Sequence, residues 1–164
     1  MSYALPFTNF AKVLELGGGH APVFRPNVDV RPGPATDFTA DFAQPLPITS
    51  EEWDGVFSKY AIEHLPWRRV AGFVSEIHRI LKPEGVAVIV TANAEAQMRW
   101  ALQQDWDEKI SQCLGGDQDF DANTHMAFFN PPYLARLFRD AGFRRVIVVP
   151  YGELHTDMIV EAQK

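Results

Sequence analysis

Short apolar runs and one-sided helical stripes take turns along this chain. Lys12 to Leu16 (KVLEL) reads as a buried strand that runs into Gly17-Gly18-Gly19. Asn27 to Arg31 (NVDVR) predicts a second strand, closed by Pro32-Gly33-Pro34, and Thr36 to Phe42 a weaker third. Trp53 to Ala61 (WDGVFSKYA) predicts a fourth. Pro66 then suits the first turn of a helix, where a missing N–H costs nothing. Val70, Phe73, Val74, Ile77 and Leu81 recur at spacings of three and four, and Pro83 and Gly85 end that helix. Val86 to Val90 (VAVIV) is apolar at every position, as in a strand covered on both faces. A helix follows from about Ala94, and Asp105 to Ala122 reads as irregular and acidic.

The C-terminal part repeats the alternation. Asn130 and Pro131 start a helix, Leu134, Leu137, Phe138 and Ala141 form its stripe, and Gly142 caps it. Arg145 to Pro150 and Thr156 to Glu161 are two strands close enough to pair as an antiparallel hairpin. The order predicts one α/β domain over residues 1–164, with a mostly parallel sheet of about seven strands. Only a short stretch, His20 to Asn27, joins the glycine loop to the next strand, too little for a crossover helix. The helices expected after strands one and two are therefore reduced or missing.

Composition narrows the partners. A formal charge of -6 argues against a nonspecific grip on nucleic acid, which needs clustered Lys and Arg. No apolar run approaches the ~20 residues of a membrane span, and the N-terminus lacks a signal-peptide pattern. With Cys113 the only cysteine, no disulfide can form within the chain, which suits a reducing compartment. The expectation is a cytoplasmic protein without nucleic-acid or membrane partners.

In an open α/β sheet, ligands bind beyond the carboxyl ends of the strands. That edge collects Glu15, the glycines, Asp29, Asp41 and the stretch Ser58 to His64. An acidic side chain ending the second strand can accept both hydroxyls of a ribose. A dinucleotide would want G-x-G-x-x-G running into a helix that faces its pyrophosphate. Here the loop reads GGGHAP, so a phosphate-rich cofactor would be poorly held. S-adenosylmethionine carries no phosphate, and its sulfonium suits an acidic, glycine-lined rim.

VLELGGG, NVDVR, ADFAQPLP, WDGVFSKYAIEHL, SEIHRILKPEGVAVIVTAN and NPPYLARLFRDAGFRRVIVV resemble the successive motifs of the small class I, type 11-like methyltransferases. The resemblance runs from Lys12 onward and is strongest between Trp53 and Thr91. It implies a Rossmann-like fold and S-adenosylmethionine as cofactor. By that resemblance Glu15, Gly17, Gly18 and Gly19 border the methionine part, and Asp29 holds the ribose. Asp41, with the Phe42 backbone, would read the adenine, and Ser58, Lys59 and Tyr60 would floor the pocket near the sulfonium.

Methyl transfer is an in-line displacement, so alignment supplies much of the catalysis, and a base is needed only when the acceptor must lose a proton. His64, just past strand four, is the first candidate base, against the alternative of a local hydrogen bond; His125 is the second, against a packing role. His20 lies in the shortened loop with no assigned role, and Glu63 is structural or a contact to the methionine amine. The Asp117, Asp119, Asp121 alternation lacks the glycine and glutamate of a calcium loop. His64, His125 and His155 show no zinc-type spacing, so no metal is expected. Trp100, Trp106, Phe128 and Phe129 are open to core packing or to lining an acceptor pocket.

A small-molecule or glycan-like acceptor is expected, with a non-catalytic cofactor- or nucleoside-binding module as the rival reading. The missing helices leave strands one to three short of cover. Either Phe7, Phe10, Val23, Phe24 and Phe38 fold back over them or a second copy does, and the latter predicts a homodimer.

Overall fold

The computed structural model describes residues 3–164. Seven strands form one sheet: β1 (Val13–Leu16), β2 (Asn27–Asp29), β3 (Phe38–Thr39), β4 (Trp53–Lys59), β5 (Leu81–Ala92), β6 (Arg145–Tyr151) and β7 (Asp157–Gln163). Their order is β3-β2-β1-β4-β5-β7-β6. The pairs from β3 through to β5 are parallel, and β7 runs antiparallel to both β5 and β6. This is the mostly parallel sheet with a C-terminal hairpin that the alternation predicts. Strand order reverses between the paired neighbours β1 and β4, so the chain leaves their carboxyl ends toward opposite sides of the sheet, the place where such folds open a crevice.

Among the described residues four α-helices accompany the sheet: α1 (Val70–Ile80), α2 (Ala94–Ala101), α3 (Glu108–Gly115) and α4 (Pro131–Asp140). The stripe on α1 buries Val70, Phe73, Val74, Ile77 and Ile80, and that on α4 buries Leu134, Ala135 and Phe138. All of these except Ala135 pack with Leu14, Leu16, Val56 and Ile89 into the main core. Each such large apolar side chain contributes ~1.5–3 kcal/mol on leaving water. Asn130 starts α4 as expected, its Oδ1 accepting the Tyr133 N–H at 3.0 Å.

Some boundaries differ from the periodicity. Pro66 opens a turn before α1 rather than α1 itself, its carbonyl accepting the Arg69 N–H at 2.7 Å. Leu81 already belongs to β5, which bulges before Val86 where Glu84 takes a left-handed φ of 65°. The stretch read as irregular, Asp105 to Ala122, contains α3. Asp107 caps it by accepting the N–H groups of Lys109 and Ile110, and Ile110 alone is buried. One buried residue leaves too faint a stripe for periodicity to register.

No helix lies between β1 and β2 or between β2 and β3 among the described residues. The sheet face opposite α1 is covered instead by aromatic rings. Phe7, Phe57, Val88, Val90 and Ile159 form a second core, with Phe10 and Phe24 packed against it. Phe7 meets Phe24 edge-on at 5.3 Å, and Phe24 meets Phe57 at 5.5 Å. Gly55 in β4 makes room for this, since a Cβ there would lie 2.8 Å from Phe7 and 2.9 Å from Phe10. Of the residues expected to fold back over this edge, Phe7, Phe10 and Phe24 do so. Val23 and Phe38, expected to join them, stay exposed.

Candidate active site

The glycine loop is shaped by what surrounds it. Gly17 takes a φ of +79°, and a Cβ on it would stand 2.5 Å from that of Ala61. Its N–H donates to the Val28 carbonyl at 2.8 Å, while Gly18 N–H donates to Asn27 Oδ1 and Gly19 N–H to Asp29 Oδ2, both at 2.9 Å. The three loop amides are thus bound to β2 and its side chains. A pyrophosphate would need those same donors, so the loop is built for a ligand without one.

Asp29 ends β2 at the crevice. Its Oδ2 takes the Gly19 N–H and its Oδ1 takes the Arg31 N–H at 3.0 Å. Each oxygen keeps a further lone pair, and together they can accept a ribose diol. Asp41 stands beyond β3, where its Oδ1 accepts the Ala43 N–H at 2.8 Å. The Phe42 ring stacks on Phe73 at 5.2 Å and so anchors this turn to α1.

These groups meet in a cavity of about 430 Å³ lined by Gly17, Gly19, Asp29, Asp41, Phe42, Tyr60 and His64. The volume lies within the ~300–1,000 Å³ usual for small-molecule sites. A Cβ on Gly19 would meet nothing within 4 Å, so its backbone is open to a ligand. Two carboxylates, bare glycine backbone and apolar walls fit a phosphate-free sulfonium nucleoside. Tyr60, at a left-handed φ of 53°, is held by its hydroxyl donating to Asp157 at 2.7 Å.

Other predicted residues lie off the cavity. Glu15 is buried, turned toward the Phe24 N–H, which donates to its Oε2 at 2.6 Å, and burial pushes its pKa up. A Cβ on Gly18 would lie 2.8 Å from that carboxylate and from Asn27, so Gly18 serves the loop's packing. Ser58 is fully buried with an unpartnered hydroxyl. Lys59 is exposed and places its ammonium 5.1 Å from the Tyr60 ring. Neither Ser58 nor Lys59 lines the cavity, whose wall is reached instead by the residues that follow the strand, Tyr60 and Ala61. His20 borders a neighbouring depression of about 350 Å³.

The aromatics considered for an acceptor pocket do not line the cavity. Phe129 is buried in the core, and Trp106 and Phe128 are exposed. Phe120, Ala122, Asn123 and Met126 line it instead, around a 3-10 turn at Asp121–Asn123. Asp117 and Asp119 accept hydrogen bonds from the side-chain amides of Gln112 and Asn123. No periodic signal marks this segment, because its residues meet the cavity through loop packing.

The histidines are brought together by the fold. Their ring centroids lie 5.0 Å apart, His64 on a 3-10 turn (Ile62–His64) after β4 and His125 on the segment before α4. The N–H groups of Met126 and Ala127 both donate to the Glu63 carbonyl, at 2.8 and 3.0 Å, which fastens the two segments. His64 Nδ1 lies 3.2 Å from the Thr124 carbonyl, and His125 Nδ1 lies 3.2 Å from that of Leu114. A carbonyl only accepts, so both Nδ1 atoms carry the proton and both Nε2 atoms hold the free lone pair. Burial lowers both pKa values, which favours the neutral imidazoles. Glu63, beside them, is 2% exposed, and its Oε2 accepts the Thr91 hydroxyl at 3.0 Å. Burial raises its pKa to about 7.

Fold and crevice define a class: a Rossmann-like α/β domain with an open cavity at the strand tips flanking β1. The sequence matches the Methyltransferase domain family over residues 2–148, and the chain belongs to that family. It is a class I methyltransferase domain, with S-adenosylmethionine as cofactor. No curated protein matches it in sequence. Among solved structures it is similar to an S-adenosylmethionine-dependent methyltransferase of Archaeoglobus fulgidus (TM-score 0.69, 17% identity, 96% of this chain and 88% of that one). It is also similar to one of Thermotoga maritima (TM-score 0.68, 19% identity, 93% and 82%). A third, from Mesorhizobium loti, superposes with a TM-score of 0.64 at 18% identity over 93% and 90%. Among the described residues no helix is long and apolar enough to cross a membrane.

Proposed function

We propose that this chain transfers the methyl group of S-adenosylmethionine to a small-molecule or glycan-like acceptor that enters beside His64. The observation that carries the reading is the convergence of Asp29, Asp41, Gly17, Gly19 and His64 on one cavity. When bound, the cofactor supplies a methyl carbon whose bond to the sulfonium breaks as the acceptor's lone pair bonds to it, the C–S electron pair returning to sulfur. Everything else is asked of the chain.

Asp29 binds the ribose hydroxyls, Asp41 and the Phe42 backbone read the adenine, and the backbone of Gly17 and Gly19 borders the methionine part. Tyr60 and Ala61 close the cavity near the sulfur. Holding the reacting atoms in line provides the main catalytic effect. His64 is assigned the acceptor's proton: it lines the cavity, and its lowered pKa keeps it neutral and receptive at pH 7. His125 stands behind it as a second neutral imidazole.

Calorimetry with S-adenosylhomocysteine, followed by turnover of labelled S-adenosylmethionine against an acceptor panel, tests the reading. Binding of one equivalent and methylation of a hydroxyl- or amine-bearing compound are expected. Failure to bind S-adenosylhomocysteine would overturn it.

A further inference from the structure

We infer that Glu63, His64 and His125 form a binding site for a divalent first-row transition ion such as Zn2+, placed at the acceptor end of the cavity. The three side chains each offer one ligand atom, and these atoms all lie within 4.8 Å of one another. Two imidazole nitrogens and one carboxylate oxygen are a donor set that such ions favour, and three protein ligands leave a position for substrate or water. Ligand atoms ~2.1 Å from an ion sit roughly 3.4 Å apart in a tetrahedron, so the side chains close by about an ångström on binding.

The surroundings are those of a supported site rather than a chance meeting of histidines. Each Nδ1 is tied to a backbone carbonyl, which fixes the tautomer and leaves Nε2 to a cation, the arrangement typical of metal-bound histidine. Thr91 holds the Glu63 carboxylate from behind. His125 is braced by its own N–H donating to the Gly115 carbonyl at 3.0 Å. Gly116, at a φ of +80°, lets the chain pass close behind, where a Cβ would lie 2.6 Å from the Asn123 carbonyl and 3.2 Å from the His125 ring. A buried carboxylate with no Lys or Arg among its hydrogen-bond partners also lacks a counter-charge, and a cation supplies one.

The inference rests on the methyltransferase reading and changes how His64 acts. Only His64 of the three lines the cavity, so an ion held by these residues would be approached by an acceptor from that side. An acceptor hydroxyl bound there loses its proton to solvent more readily than a free one, and its oxygen is left ready to attack. His64 then works as a ligand rather than as the proton's destination, and the acceptor class narrows to compounds with a hydroxyl.

The full chain, stripped with a chelator, would be titrated with Zn2+ by calorimetry and with Co2+ by visible absorption. One ion per chain and d–d bands of a low-coordinate Co2+ site are expected. His125→Ala should weaken Zn2+ by about 100-fold or more, and Thr91→Val by ~10-fold, as outer-shell partners do. His155→Ala, on the hairpin between β6 and β7, should leave the affinity unchanged. Absence of stoichiometric binding by the unmodified chain, or equal affinity in His125→Ala, overturns the site. S-adenosylhomocysteine affinity, measured on the same samples, separates the two readings: its retention without Zn2+ binding removes the ion alone, and its loss with Zn2+ binding intact removes the methyltransferase reading.

Discussion

The Arg31 guanidinium lies 3.8 Å from the centre of the Phe120 ring, joining the segment after β2 to the 3-10 turn beyond α3. Both residues line the cavity, so this contact spans its mouth. A cation over a ring that is only partly buried is worth ~0.5–1 kcal/mol. Phe120→Ala should speed amide exchange across residues 117–126 and weaken S-adenosylhomocysteine by about 2- to 5-fold. Hydrogen exchange followed by mass spectrometry, with calorimetry alongside, reads both. Unaltered exchange would show that the mouth is held by other contacts.

Asp29 carries two tasks, supporting the glycine loop through Gly19 and receiving the ribose. Asp29→Ala removes charged hydrogen bonds of roughly 1.5–3 kcal/mol, which should weaken cofactor binding by about 10- to 100-fold. Asp29→Asn, which keeps an acceptor for one backbone N–H, should lose less. Equal affinities for the alanine variant and the original chain, measured by calorimetry, would place the ribose elsewhere.

Gly55 tests the unusual cover of the sheet. Phe7 and Phe10 pack onto its bare Cα, and any added Cβ must push them away. Gly55→Ala should cost about 1–3 kcal/mol, the ordinary range for overpacking a filled core. The shift of the urea midpoint at constant slope gives the value. A neutral result would mean that the aromatic layer slides without loss.

The Glu76–Arg79 pair on α1 gives a pH dependence with a definite sign. Arg79 donates to both Glu76 oxygens, at 2.9 and 2.8 Å, and the Leu46 N–H adds a third bond at 2.8 Å. The Arg79 hydrogen bonds outweigh the opposing effect of burial and, with a lesser contribution from the Leu46 N–H, hold the carboxyl below its usual pKa. The unfolded chain therefore takes up this proton first as pH falls. Stability from the pair is complete above the ordinary glutamate range of ~4.3 and is lost as pH drops through the lower folded value. Glu76→Gln should lower stability at pH 7 by roughly 1.5–3 kcal/mol and by little at pH 2, shown by thermal melts across that range.

Periodicity and punctuation sufficed for the sheet, because they are local. VAVIV reads as a strand covered on both faces, and the α1 stripe needs one apolar side. The short link from Gly19 to Asn27 already rules out a crossover helix by length. Asp29 and Asp41 were legible as crevice residues because strand tips in this architecture point one way. Other assignments turned on packing. Glu15 and Ser58 occupy the right strands, yet the first serves the Phe24 amide and the second is buried away from the cavity. No local pattern reveals α3, with its single buried residue, or the mouth contact between Arg31 and Phe120.

The linear order of residues determined where strands, turns and a glycine-edged crevice must fall, since those follow from neighbours a few positions apart. Tertiary structure decided which side chains share a wall. His64 and His125 have no spacing that could link them, and they meet because two backbone amides from the later segment bind the Glu63 carbonyl. Long-range hydrogen bonds of that kind join residues whose separation in the chain carries no periodic trace.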